Sequence, residues 1–232
     1  MLYGGIPEGS QVLVAGGPGA GKTLLSFEFL YKGAKEMDSP GVFFALEEDP
    51  QSSLNNIKAT FSTFTDIDDL IAAKKITMND DNPARKLHNA NAETGSYEFG
   101  TIVSDIESMI TASGAKRAVV DSISVLNLLI DKESMYRKAL IDLISNFKRL
   151  GVTTLLTMEA KRPERSSLEF KPEFFVFDGI FNMYQNEAEE KRLRGIEIIK
   201  MRGIKHSAAT NPYEITENGF KVFSAEDGMF NE

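Results

Sequence analysis

The sequence predicts an α/β fold: a mainly parallel, twisted sheet with helices on both faces and antiparallel hairpins toward the C-terminus. Three observations predict it. Short apolar runs at 11–15, 41–46, 117–122 and 152–158 alternate with stretches of helical periodicity, the pattern of buried parallel strands joined by crossover helices. A glycine-rich stretch, GGPGAGKT at 16–23, joins the first run to the first helix. After residue 173 the chain turns to extended segments separated by charged or Asn-Gly turns, which suits hairpins.

The 232 residues, 42% hydrophobic and 26% charged, are enough for a substantial core in one domain. Twenty-six Lys and Arg stand against 34 Asp and Glu, a formal charge of −8, which argues against a general binder of nucleic acid or anionic membranes. No cysteine is present, so disulfides, thiolate metal sites and cysteine nucleophiles are excluded. No apolar run approaches the roughly 18 residues of a membrane span. Met1 leads straight into LYGGIPEG, so no signal peptide is expected and a cytoplasmic location is.

In chain order, MLYGGIPEGS is a turn-rich entry and QVLVA, 11–15, a short buried strand. The glycine stretch fits G-x-x-x-x-G-K-[ST] at Gly16, Gly21, Lys22 and Thr23. Its cradle runs through Gly17, Pro18, Gly19, Ala20, Gly21, Lys22, Thr23 and Leu24. Successive backbone N–H groups there can point inward at phosphate oxygens, and the helix N-terminus adds its partial positive charge. Lys22 can reach the β- and γ-phosphates, and the Thr23 hydroxyl can ligate Mg²⁺. Binding of a nucleoside triphosphate is the expectation. In the following helix Leu24, Phe27, Tyr31 and Ala34 recur at helical spacing and should face the sheet.

GVFFAL, 41–46, reads as a second buried strand, and Glu47, Glu48, Asp49 and Pro50 follow it directly. Ligands of parallel α/β sheets sit at the carboxyl ends of strands. Two carboxylates there suit activation of a water, one as base and the other tuning it by like-charge coupling. Asp49 and Pro50 equally suit the cap and first turn of a helix. Residues 51–73 carry helical signals, 74–78 a strand, and 79–96 a long polar loop in which His88 receives no role. Phe99, Ile102, Val103, Ile106 and Ile110 mark an amphipathic helix over 97–113 that stops at Gly114.

RAVVDS, 117–122, is a strand ending at Asp121, the acid expected to hold Mg²⁺ directly or through water. Tyr136, Leu140, Leu143, Phe147 and Leu150 line a helix ended by Gly151. The strand 152–158 leads into a mixed-charge loop, 159–172, in which Lys161, Arg162 and Arg165 alternate with Glu159, Glu164 and Glu169, expected to be solvated. Strands are expected at 173–184 and 194–201, joined by the turn NEAEEKR, and a last extended pair, 212–223, folds at Asn218-Gly219.

These residues resemble KaiC-like ATPases within the RecA superfamily of P-loop NTPases. The likeness runs from GGIPEGSQVLVAGGPGAGKT through GVFFALEEDP, RAVVDSISVL and TTLLTMEAKR to KMRGIKH at 200–206, nearly the whole chain in order. It implies one RecA-like domain over 1–232, ATP with Mg²⁺, and a homo-oligomer, often a hexameric ring, with nucleotide between subunits. It implies that Lys22 and Thr23 belong to Walker A and Asp121 to Walker B, with Glu47 and Glu48 the catalytic carboxylates and Glu47 the principal base. Lys200, Arg202 and His206 match a segment reaching the phosphates of a neighbouring subunit, as an arginine finger does. Ile215 and Glu217 fall where the family approaches adenine and ribose. The family usually begins with a segment of the form STGIxGLDxLL, of which only MLYGG remains, so a truncated or short start is expected. The clock member of the family carries phosphorylated Ser and Thr where this chain has Phe174 and Phe175, so self-phosphorylation is not expected there. Rival readings are a recombinase-like DNA-binding accessory protein, a non-hydrolysing nucleotide sensor, and a kinase acting on other chains or on Ser122 or Ser124. An unidentified protein partner is compatible with any of them.

Overall fold

The computed structural model describes residues 1–80, 99–126, 130, 132–160, 168, 171–188 and 191–225. The elements in order are β1 (Gln11–Gly16), α1 (Lys22–Glu36), β2 (Gly41–Ala45), α2 (Pro50–Thr60), α3 (Ile67–Ala72), β3 (Ile76–Met78) and α4 (Phe99–Ser113). They continue with β4 (Arg117–Asp121), α5 (Glu133–Leu150), β5 (Thr153–Glu159), β6 (Gly179–Ala188), β7 (Lys191–Met201), β8 (Asn211–Thr216) and β9 (Gly219–Val222). They build one nine-stranded sheet in the order β3-β2-β4-β5-β1-β6-β7-β8-β9. Pairing is parallel from β3 through β6 and antiparallel from β6 to β9.

Strand alternation sorts the core into two layers. Val12 and Val14 of β1 pack with Phe27, Leu30 and Tyr31 of α1 and Phe43 of β2. Leu13, Phe44 and Val120 point to the other face, against Ile102, Ile106 and Ile110 of α4 and Leu140, Leu143 and Phe147 of α5. Both faces of the central strands are therefore covered, which is why their sequences are continuous apolar runs rather than alternating ones. The Phe27 and Phe43 rings stack with centroids 4.4 Å apart, fixing α1 over the sheet. Among the described residues no helix is long and apolar enough to cross a membrane.

Three expectations change. Residues 173–178 are not strand: Pro172–Val176 form a 3₁₀ turn and β6 starts at Gly179. Pro172 stands at the first turn position, where its fixed φ and missing N–H suit a helical start. Phe174 within the turn and Phe177 just after it are both buried in the core layer that contains α5. The β6–β7 ribbon is longer than expected and takes most of NEAEEKR into its backbone ladder, with Glu187 paired to Arg192 and Ala188 to Lys191. Main-chain pairing in a ribbon is indifferent to the polarity that suggested a turn. In the last hairpin the turn is Glu217–Asn218, and Gly219, at φ +98°, opens β9. Glycine suits that positive φ, which a side chain rarely adopts, and a Cβ there would also displace the Glu28 carboxylate of α1. The expected loop residues 81–96, with His88, and the basic residues Lys161, Arg162 and Arg165 lie outside the described residues.

Candidate functional site

β1 ends at Gly16, and the chain turns through 17–21 into α1. Gly16 has no room for a side chain: a Cβ would lie 2.6 Å from the Met183 carbonyl of β6. Gly19 and Gly21 take φ of +74° and +88°, open to glycine at little cost. Ala20 and Leu24 are buried beneath the loop. Lys22 curls back, and its Nζ donates to Gly16 O at 2.9 Å and Gly17 O at 3.1 Å. It is 8% exposed. Burial lowers its pKa, against the opposing charges of Glu159, Asp121 and Glu47.

Asp121 at the end of β4 accepts from Thr23 Oγ1 at 2.8 Å and from the Thr157 hydroxyl of β5. Burial raises its pKa, while these two hydroxyls and Lys22 pull it down. The loop and the ends of β2, β4 and β5 enclose a cleft of about 230 Å³. Among the described residues Lys22 is the one cation in its lining, against the carboxylates of Glu47, Glu48, Asp121 and Glu159. A hydroxyl and a carboxylate side by side are the hard oxygen donors Mg²⁺ takes when phosphates complete its shell. Four carboxylates around one ammonium leave the cleft short of positive charge, so Thr23 and Asp121 fit such an ion. Among the described residues no group of three or more His, Asp or Glu could hold a metal by itself. A larger hollow at the β3 edge, about 520 Å³, includes none of these residues.

Glu47 and Glu48 project at the end of β2, and both expected uses of 47–50 coexist. The Asp49 side chain accepts from Ser52 N at 2.8 Å, capping α2 with Pro50 at its first turn. Glu48 accepts from Ser53 Oγ at 3.0 Å. The pKa of Glu47 is raised by burial first, then by Glu159 and Asp121, with Glu48 a lesser influence. The sequence reading gave the tuning to Glu48 alone and put Glu159 in a solvated loop. Glu159 is exposed, but as the last residue of β5, in register with Gly16, it lines the cleft. The signal for it was present: an apolar run ending in an acid, as at Asp121.

Lys200, Arg202 and His206 are not brought to the loop of their own chain. β7 runs antiparallel to β6, so Lys200 pairs with Ile180 near the start of β6, whereas the loop end of β1 lies beside Met183. Lys200 Nζ donates to Phe177 O at 2.6 Å, and Arg202 donates to Phe175 O at 2.9 Å and Asp178 Oδ1 at 3.2 Å. Burial and the Arg202 charge lower the pKa of Lys200. His206 bridges to Leu2 at the same end. Ile215 packs on the loop, where a Cβ on Gly21 would lie 2.7 Å from its Cδ1. The side chain of Glu217 is exposed, and its carbonyl accepts from Ser62 N at 2.9 Å.

A protein-family model described as "ATPase: KaiC" matches residues 1–227. The circadian clock oscillator protein KaiC of Synechococcus elongatus is 32% identical over 223 residues, and that of Picosynechococcus sp. 31%. Each alignment covers 96% of this chain and 42% of the relative, so the chain spans less than half the length of these relatives. The crystal structure of a KaiC-like protein from the hyperthermophilic archaeon Pyrococcus horikoshii OT3 superposes with a TM-score of 0.80 at 32% identity, covering 96% of this chain and 93% of that one.

Proposed function

The chain belongs to the KaiC family of nucleotide-binding P-loop ATPases, and from that premise we propose that it hydrolyses ATP with Mg²⁺, slowly, at interfaces between subunits of a homo-oligomeric ring. One RecA-like domain over 1–232 supplies both faces of that interface. The observation that supports this most is a division of labour in the fold: the loop, Thr23, Asp121 and Glu47 share one cleft, and the Lys200–Arg202–His206 cluster sits at the other end of the sheet. Each chain then offers half a site on either side. A regulatory output, an unidentified protein partner and a cytoplasmic location belong to the same proposal.

The loop amides and Lys22 hold the phosphates, with Lys22 exchanging the Gly16 and Gly17 carbonyls for phosphate oxygens. Thr23 and Asp121 hold Mg²⁺, which when bound offsets the charge of the triphosphate. Glu47 accepts the proton of the attacking water as the β–γ bridge breaks and ADP leaves. Its raised pKa keeps it nearer the working pH than an ordinary carboxylate. Lys200 and Arg202 of the next subunit meet the developing γ-phosphate charge, and His206 closes the phosphate contact. Ile215 and Glu217 flank the base and ribose.

The test mixes two inactive chains. Lys22→Ala removes the loop cation and Arg202→Ala the trans cation. Each alone is expected to turn over little ATP. On mixing, random assortment restores competent sites at about a quarter of interfaces in a closed ring. No recovery, from chains that still assemble with Mg·ATP, would sink the shared site.

The pH profile gives a second test. Glu47 must be deprotonated to act as base, so kcat/KM falls as the pH drops through its raised pKa. Burial and Glu159 set that position, so Glu159→Gln is expected to move the acid limb to lower pH. An unmoved limb would show that Glu159 does not act on Glu47.

A further inference from the structure

The carbonyls of the glycine loop are held from two sides. Lys22 Nζ takes Gly16 O and Gly17 O. Two more are held from outside the loop: Gln185 Nε2 of β6 donates to Pro18 O at 3.2 Å, and the Tyr213 hydroxyl of β8 donates to Ala20 O at 2.6 Å. A trans peptide is planar, so its N–H points opposite to its C=O. Drawing Ala20 O toward β8 turns the Gly21 N–H away from β8. Drawing Pro18 O toward β6 turns the Gly19 N–H away from β6. These are the two loop residues at positive φ, the kind of backbone that gathers N–H groups into an anion-binding concavity.

Tyr213 is itself braced. It is 3% exposed, and its ring stacks on Phe220 with centroids 4.4 Å apart. Phe220 N in turn donates to the Glu28 carboxylate of α1, which pairs with Lys32 at 2.9 Å. The C-terminal hairpin is thereby bolted to the helix that leaves the loop. Burial raises the pKa of the hydroxyl, keeping it protonated and able to donate.

We propose that Tyr213, with Gln185, is a positioning residue that presets the Gly21 and Gly19 amides for phosphate by tethering the carbonyls behind them. The assignment rests on the nucleotide-binding reading above. Neither residue belongs to the loop motif; they lie 193 and 167 positions away in the chain from the carbonyls they hold.

The experiment is titration calorimetry of the full chain with Mg·ADP, alongside steady-state ATP turnover, for wild type, Tyr213→Phe, Gln185→Met and Lys22→Ala. Tyr213→Phe keeps the ring and its stack and removes one hydrogen bond, so a 3- to 10-fold weaker Kd is expected, roughly what one such bond contributes. KM should rise with kcat nearly unchanged, because the amides bind ground state and transition state alike. Gln185→Met should weaken binding about 2- to 5-fold by the same bond scale, and it carries the test if Tyr213→Phe does not fold. Wild-type Kd in the folded variants, or a fall in kcat with KM unchanged, overturns the tether. If Lys22→Ala loses binding in that case, only the tether fails; if Lys22→Ala binds like wild type, the nucleotide-binding reading fails with it.

Discussion

Lys22→Ala is expected to weaken Mg·ATP and Mg·ADP binding by about 10²- to 10³-fold, the scale of a charge-assisted contact in a water-poor site, and to abolish turnover with it. Among the described residues Lys22 is the only cation lining a cleft that carries four carboxylates. Without it a polyanion would enter an all-acidic wall. Its ammonium is buried on two loop carbonyls, so it is already at the place where phosphate oxygens arrive and no side-chain search is needed. Fold stability should change little, since removing the lysine also removes the cost of burying its charge. The check is calorimetry together with thermal melting: wild type gains melting temperature in Mg·ADP by mass action, and the variant should not. Retained tight binding would end the P-loop reading.

Glu47→Gln is expected to separate binding from chemistry. Loss of a positioned base costs roughly 10²- to 10⁴-fold in rate, so single-turnover phosphate release should fall by that amount. Affinity for Mg·ATP should hold or tighten, because one negative charge leaves a cleft that already has too many. Glu48→Gln should cost much less, since Glu48 is engaged with Ser53 and is the weaker influence on Glu47. A fall of less than ~10-fold in Glu47→Gln would move the base to another carboxylate of the cleft, Glu48 or Glu159.

Much of this site was legible in the chain because its parts are local. The glycine loop needs a strand before it and a helix after it, and both announce themselves by periodicity. Asp121 ends an apolar run, and Asp49-Pro50 is a helix start in two letters. The elements that misled are those where one pattern serves two structures. EFFVFD has the apolar density of a strand, yet Pro172 starts a 3₁₀ turn that feeds Phe174 and Phe177 into the core from one side. NEAEEKR has the polarity of a turn, yet Asn186 to Ala188, Lys191 and Arg192 of it are in the backbone ladder. Glu159 was passed over because its neighbours in sequence are mixed charges, whereas its neighbours in space are Lys22, Glu47 and Asp121.

Sequence alone was sufficient for the α/β class, the order of its strands and helices, the glycine loop and the acids at the ends of β2 and β4, because each depends on residues within a few turns of one another. The C-terminal hairpin pairings were legible, but which of the other strands lie side by side was decided only in three dimensions. That β5 lies next to β1 brings Glu159 to the cleft, and that β8 and β9 pack on α1 brings Tyr213 to Ala20. That β7 runs back along β6 sets Lys200 and Arg202 at the far end of the sheet from their own loop. The contacts of Glu159 with the cleft and of Tyr213 with Ala20 join positions more than a hundred residues apart, where no spacing rule reaches and only the packing of the sheet and its helices selects the neighbour.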